Sequence, residues 1–136
     1  MLVYAQRGGT AEHERMGDWL QGVANGSGPF GLSSLVLSGV LRVLTHPRVF
    51  AVPTPLEEAL RFVEDLRGRA NCVEIAPGPR HWEIFARLCR GTEATGNEVP
   101  DAYLAALAIE SGSEWITTDT GFGRYEGLRF RHPLAG

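Results

Sequence analysis

Short runs of consecutive apolar residues alternate along this chain with stretches in which apolar positions recur every three or four residues. That is the pattern of buried strands separated by amphipathic helices. Leu2-Val3-Tyr4-Ala5, ended by Gln6-Arg7-Gly8-Gly9, reads as a strand breaking into a loop. Thr10 caps a helix that carries Met16, Trp19, Leu20 and Val23 on one face, and Asn25-Gly26-Ser27-Gly28-Pro29 stops it. Phe30-Gly31-Leu32 is a second strand, with Ser33 capping a helix over 34–45 that Pro47 closes. Thr54 and Pro55 open a third helix through Leu60, Phe62, Val63 and Leu66, ended by Gly68.

The second half repeats the alternation. Cys72-Val73-Glu74-Ile75 reads as a strand, and Pro77-Gly78-Pro79 turns the chain into a helix with Trp82, Ile84, Phe85, Leu88 and Cys89 on its apolar face. After a loop over 91–99, Pro100 and Asp101 start a helix that is apolar on most sides and therefore buried, and Gly112 ends it. Trp115-Ile116-Thr117-Thr118 is the next strand, Asp119-Thr120-Gly121 the turn leaving it, and Leu128-Arg129-Phe130 a last strand. The expectation is one α/β domain over residues 1–136, with helices covering a mostly parallel sheet. In such sheets ligands bind beyond the carboxyl ends of strands, which directs attention to the ends after Ala5 and Thr118.

Composition narrows the chemistry. With 136 residues, 43% hydrophobic and 21% charged, the chain is long enough to bury a core without metal or disulfide staples. Cys72 and Cys89 accordingly read as small buried hydrophobes in a reducing, cytoplasmic setting. The apolar runs are too short to span a membrane. All thirteen basic residues are arginine, so a Walker A loop, a Schiff base and the lysine of a receiver domain are excluded. A net charge of −3 argues against sequence-independent coating of nucleic acid, although Arg7, Arg42 and Arg48 suit local contacts with phosphate.

Asp101 in the first turn of a buried helix and Asp119 directly after a strand are the residues best suited to chemistry. Two carboxylates at such ends suit a hard cation and metal-assisted phosphodiester cleavage. Without any ligand, Asp101 equally suits a helix dipole and Asp119 an Asx turn. His13, His46, His81 and His132 lack the spacing of a transition-metal site, and Ser33 is explained as a cap.

Several segments together resemble the VapC type of PIN-domain toxin. They are Leu2-Val3-Tyr4-Ala5-Gln6-Arg7, Leu41-Arg42-Val43-Leu44-Thr45-His46-Pro47-Arg48, Thr95-Gly96-Asn97-Glu98-Val99-Pro100-Asp101-Ala102, Thr117-Thr118-Asp119-Thr120-Gly121-Phe122, and the ending Gly127-Leu128-Arg129-Phe130. The resemblance runs through essentially the whole chain in order. It implies an α/β/α sandwich around a parallel, about five-stranded sheet, and a Mg2+- or Mn2+-dependent endoribonuclease acting on structured RNA to arrest translation. It also implies a VapB-type antitoxin as partner and a homodimer. Asp101 matches the third acidic position of the family and Asp119 the fourth, with Thr118 matching the hydroxyl residue before it.

Two positions depart from the family pattern. The first acid, in an Asp-x-Asn segment, would precede Met1, and the second aligns with Gly39. The expectation is that Met1 is internal to a longer reading frame, and that the shortened first strand lowers stability. A PIN-like module that binds RNA or an antitoxin without cutting is the competing reading.

Overall fold

Apolar spacing sets the helices of the first half. In the computed structural model, which describes residues 11–135, the chain divides into two compact units, Met1–Ile75 and Ala76–Gly136. The expected strand over 2–5 and the Thr10 cap lie outside the described residues. Helix α1 (Ala11–Ala24) buries Met16, Leu20 and Ala24, one residue per turn on one face. Helix α2 (Ser34–Leu44) buries Leu37, Val40 and Leu44, and α3 (Leu56–Arg67) buries Ala59, Val63 and Leu66. Leu20, Ala24 and the buried side chains of α2 and α3 meet in one cluster, with Trp19, Leu32, Phe50 and Phe62 packed around it.

The ends of these helices are largely those the sequence specifies. Ser33 caps α2 by accepting the Leu35 N–H at 3.2 Å. Helix α3 departs slightly: it begins at Leu56 with Pro55 as the flanking residue. Thr54, expected to cap it, is buried, and its N–H bonds the Leu44 carbonyl at 2.8 Å, which fixes the loop instead.

Strand β1 (Phe30–Leu32) pairs in parallel with β2 (Cys72–Glu74), Gly31 lying opposite Val73. A Cβ on Gly31 would lie 2.6 Å from the Ile75 side chain, so glycine permits this close approach. Asn71, just before β2, donates to the carbonyls of Val23, Gly26 and Gly28 at 3.0–3.1 Å, tying the turn after α1 to the strand pair.

In the second unit, α4 (His81–Thr92) buries His81, Ile84 and Leu88. Trp82, expected on the apolar face, is 72% exposed. The buried stripe follows residues 81, 84 and 88, and position 82 is rotated about 100° away from it. Helix α5 starts at Glu98, two residues earlier than expected, with Pro100 tolerated in its first turn because no helical N–H is needed there. It runs to Ser111 and ends at Gly112, whose φ of 69° suits glycine. Strand β3 (Trp115–Ile116) pairs in parallel with β4 (Phe130–Arg131). Both strands are shorter than or shifted from the expected 115–118 and 128–130. The described residues thus hold four strands in two parallel pairs. Cys72 and Cys89 are unpaired and half-buried rather than fully buried.

The start of α4 is capped from a distance. In Pro77-Gly78-Pro79-Arg80 the prolines lack an N–H, and the Gly78 and Arg80 N–H groups both donate to the Glu110 carboxylate, at 2.7 and 2.9 Å. These bonds hold the Glu110 carboxyl below its ordinary value. Its contribution to stability is therefore present above that ordinary value and is lost as the pH falls through the lower, folded-state value. Glu110→Ala is expected to lower the melting temperature at neutral pH, with the difference from the parent chain shrinking across acid pH. In the first unit, Leu44 is fully buried. Leu44→Ala is expected to cost about 2–5 kcal/mol in urea unfolding.

Candidate functional site

Asp119 is positioned by the strand that precedes it and the short helix that follows. The parallel ladder extends past β3, the Thr117 N–H donating to the Arg131 carbonyl at 3.1 Å. The Thr117 hydroxyl oxygen accepts the Asp119 N–H at 3.1 Å, and Asp119 Oδ1 accepts the Gly121 N–H at 2.7 Å. The carboxylate thereby caps a 3-10 helix, Thr120–Arg124, so the expected Asx-type turn is present. Asp119 itself is exposed, and Thr118 beside it is half-buried.

Asp101 stands in the first turn of α5, half-buried next to the fully buried Ala102. Burial pushes its carboxyl above the ordinary range. The negative charge of Asp119 pushes it further in the same direction, as does Glu98 to a smaller extent, while the Arg124 guanidinium opposes them. The structure thus brings together the two acids that the sequence singled out, one at a helix start and one at a strand end.

Sequence reasoning missed the groups around them. Arg124 Nη1 donates to Glu98 Oε2 at 2.8 Å, and the other oxygen, Oε1, accepts from the Thr95 N–H and hydroxyl at 3.1 and 3.3 Å. The Tyr125 hydroxyl donates to the Glu98 carbonyl at 3.1 Å, and the Arg124 guanidinium lies 5.7 Å from the Tyr125 ring centre. Burial first, and the Asp101 charge second, push the Tyr125 phenol up. Thr95-x-x-Glu98 has the spacing of a capping box and was a readable signal. The Glu98–Arg124 pair joins residues 26 apart and left none.

His81 is buried, with Nε2 3.0 Å from the Tyr103 carbonyl oxygen and its ring edge-on to Tyr103. His46 and His132 accept backbone N–H groups through Nδ1. Arg42 and Arg48 are exposed, while Arg7 and the His13 side chain lie outside the described residues. No helix among those residues is long and apolar enough to cross a membrane.

Among the described residues no group of three or more His, Cys, Asp or Glu side chains is placed to hold a metal ion. The Asp101–Asp119 pair nonetheless offers hard oxygen donors whose mutual repulsion a divalent cation would relieve. That chemistry fits an ion bound through one or two carboxylates and water. Without a cation, the Asp101 charge opposes folding. A carboxyl raised in the folded state lets stability fall as the pH climbs from the unfolded-state value through the folded one. Asp101→Asn is expected to melt at a higher temperature than the parent chain at pH 7–8 in a chelator, with the difference vanishing below the ordinary carboxylate range.

Comparison with known proteins shows the family. The PIN domain family matches residues 1–128. The chain is similar to Ribonuclease VapC43 of Mycobacterium tuberculosis, at 41% identity over 136 residues, covering 100% of this chain and 92% of the relative. It is similar to Ribonuclease VapC25 of the same organism at 32% identity, covering 98% and 94%. Its fold is similar to that in the crystal structure of VapBC2 from Rickettsia felis bound to a DNA fragment from their promoter. The TM-score is 0.66 at 17% identity, covering 96% of this chain and 92% of that one. A helix-rich α/β chain with parallel strands, an acid at the start of its buried alanine-rich helix and another at the end of the following strand, it belongs to the PIN-domain family, among the VapC-type ribonucleases.

Proposed function

We propose that this chain is the toxin of a type II toxin–antitoxin pair, a metal-dependent endoribonuclease that inhibits translation by cutting structured RNA such as tRNA or rRNA. The observation that carries the reading is the placing of Asp101 in the first turn of α5 and of Asp119 at the head of the 3-10 helix, two elements tied together by the Glu98–Arg124 ion pair at 2.8 Å. In this reading the whole chain acts as one PIN-like domain, in the cytoplasm, as a homodimer. A VapB-type antitoxin is its partner, in keeping with the VapBC2 assembly whose fold it shares.

Asp101 and Asp119 would hold Mg2+ or Mn2+. Such an ion, when bound, supplies Lewis acidity toward a phosphate oxygen and acidifies water. The chain's own contribution is orientation. Thr117 and the Gly121 N–H fix Asp119 before any ligand arrives, and the packed first turn of α5 fixes Asp101, so little ordering is left to be done on binding. Thr118, next to Asp119, contributes a hydroxyl to the same end of β3.

Incubation of labelled RNA with the full chain and Mg2+ or Mn2+ tests this. Cleavage is expected, abolished by chelation and reduced by about 10²–10³-fold in Asp101→Asn and in Asp119→Asn, the scale on which loss of one charge-stabilising group acts. RNA binding without cutting under every ion tried would instead establish the non-cleaving, PIN-like RNA- or antitoxin-binding module.

A further inference from the structure

The acid pair has a fixed cation beside it. Arg124 ends the 3-10 helix that Asp119 begins, so the two side chains belong to one short rigid segment. Gly121 shows how close they come. A Cβ placed there would lie 2.6 Å from Arg124 Nη2 and 2.9 Å from Asp119 Oδ1, so the ends of both side chains converge on this one glycine. The guanidinium is anchored on its other side by Glu98 Oε2 at 2.8 Å, and Glu98 is itself held by Thr95. The guanidinium carbon lies over the Tyr125 ring, 5.7 Å from its centre. The side chain is nonetheless 35% exposed, and its Glu98 bond uses one of five N–H donors.

Ion pairing with Glu98 alone does not account for this placement. A surface ion pair stabilises by little and does not by itself turn the rest of the guanidinium toward the Asp119 carboxylate. A guanidinium held rigid, facing solvent and adjoining two carboxylates is suited to a phosphodiester group brought to those carboxylates, because its planar donors match phosphate oxygens and its charge offsets theirs. We propose that Arg124 is a substrate-contacting residue of this site, gripping an RNA phosphate beside the Asp101–Asp119 pair while Glu98 and Tyr125 hold the guanidinium in place. The inference rests on the ribonuclease reading for the identity of the polymer, and on the Gly121 and Glu98 geometry for the residue. Glu98 has a positioning role in it, acting through Arg124.

The test is the salt dependence of binding, measured separately from cleavage. A fluorescein-labelled RNA hairpin is titrated with the full chain in EDTA across a series of NaCl concentrations, with RNA integrity checked on a gel and the folding of each variant checked by thermal unfolding. For Arg124→Gln, weaker binding is expected, with the slope of log affinity against log salt shallower by about 0.7–0.9, the loss of one phosphate contact. Arg124→Lys retains the charge and is expected to keep the slope while losing at least about tenfold in cleavage, since a point charge does not reproduce bidentate geometry. Glu98→Gln is expected to keep the wild-type slope.

A wild-type slope in Arg124→Gln overturns the proposal. So does an equal loss of slope in Glu98→Gln and Arg124→Gln, which would make the pair a structural unit. If Arg124→Gln does not fold, Arg124→Lys decides: unchanged cleavage overturns the proposal. A wild-type chain that binds the hairpin but cuts nothing with Mg2+ or Mn2+ overturns the nuclease reading, and the slope comparison still decides the role of Arg124.

Discussion

The close packing of α5 is the constraint on which the second unit depends. Ala102, Ala105 and Ala106 are fully buried, so the face they form is nearly flat and admits large partners at short range. Phe122 and Tyr125 fill that space together with Ile84 and Leu88. Two of these buried residues have a charged neighbour that the site uses: Asp101 precedes Ala102, and Arg124 precedes Tyr125. Seating the aromatic side chains of the 3-10 helix segment against the alanines therefore brings Asp119, Arg124 and Asp101 to one place. The site follows from the core, with no separate device needed to assemble it.

Electrostatics at that place runs against stability. Asp101 is half-buried beside another carboxylate, which raises the free energy of its charged form, and the Arg124 guanidinium offsets only part of that. Elsewhere in the same unit a carboxylate is used in the opposite sense. Glu110 meets two backbone N–H groups that the flanking prolines leave as the donors at the start of α4, and its charged form is favoured. The two acids lie on one helix, α5, and differ in what the fold gives them to face: N–H dipoles for Glu110, a second negative charge for Asp101.

Legibility in the sequence followed the range of the interaction. The helices of both units were readable because residues three and four apart share a face, as Leu37, Val40 and Leu44 do. Local caps were readable too: Ser33 and the Asp119 turn are settled within two residues of themselves. Trp82 was misplaced because its neighbours Ile84 and Phe85 are apolar, and the phase of α4 is set by which of them finds a partner. Thr54 was misread because its N–H is used by Leu44, across a loop, before any helix can claim the residue. Asp101 and Asp119 were identified from their places at element ends and from resemblance to a family, but Glu98, Arg124 and Tyr125 were not.

By itself, the sequence determined the order and type of the α-helices and strands among the described residues, the absence of lysine chemistry, and which two acids stand at the ends of a buried helix and a strand. These are set by backbone preferences and by the periodicity of apolar residues, both of which act over a few positions. The tertiary structure alone decided that the Asp119 charge bears on Asp101 and that Glu98 holds the Arg124 guanidinium next to them. Those facts depend on distances between residues remote in the chain, and such distances exist only once the alanine face of α5 has been packed.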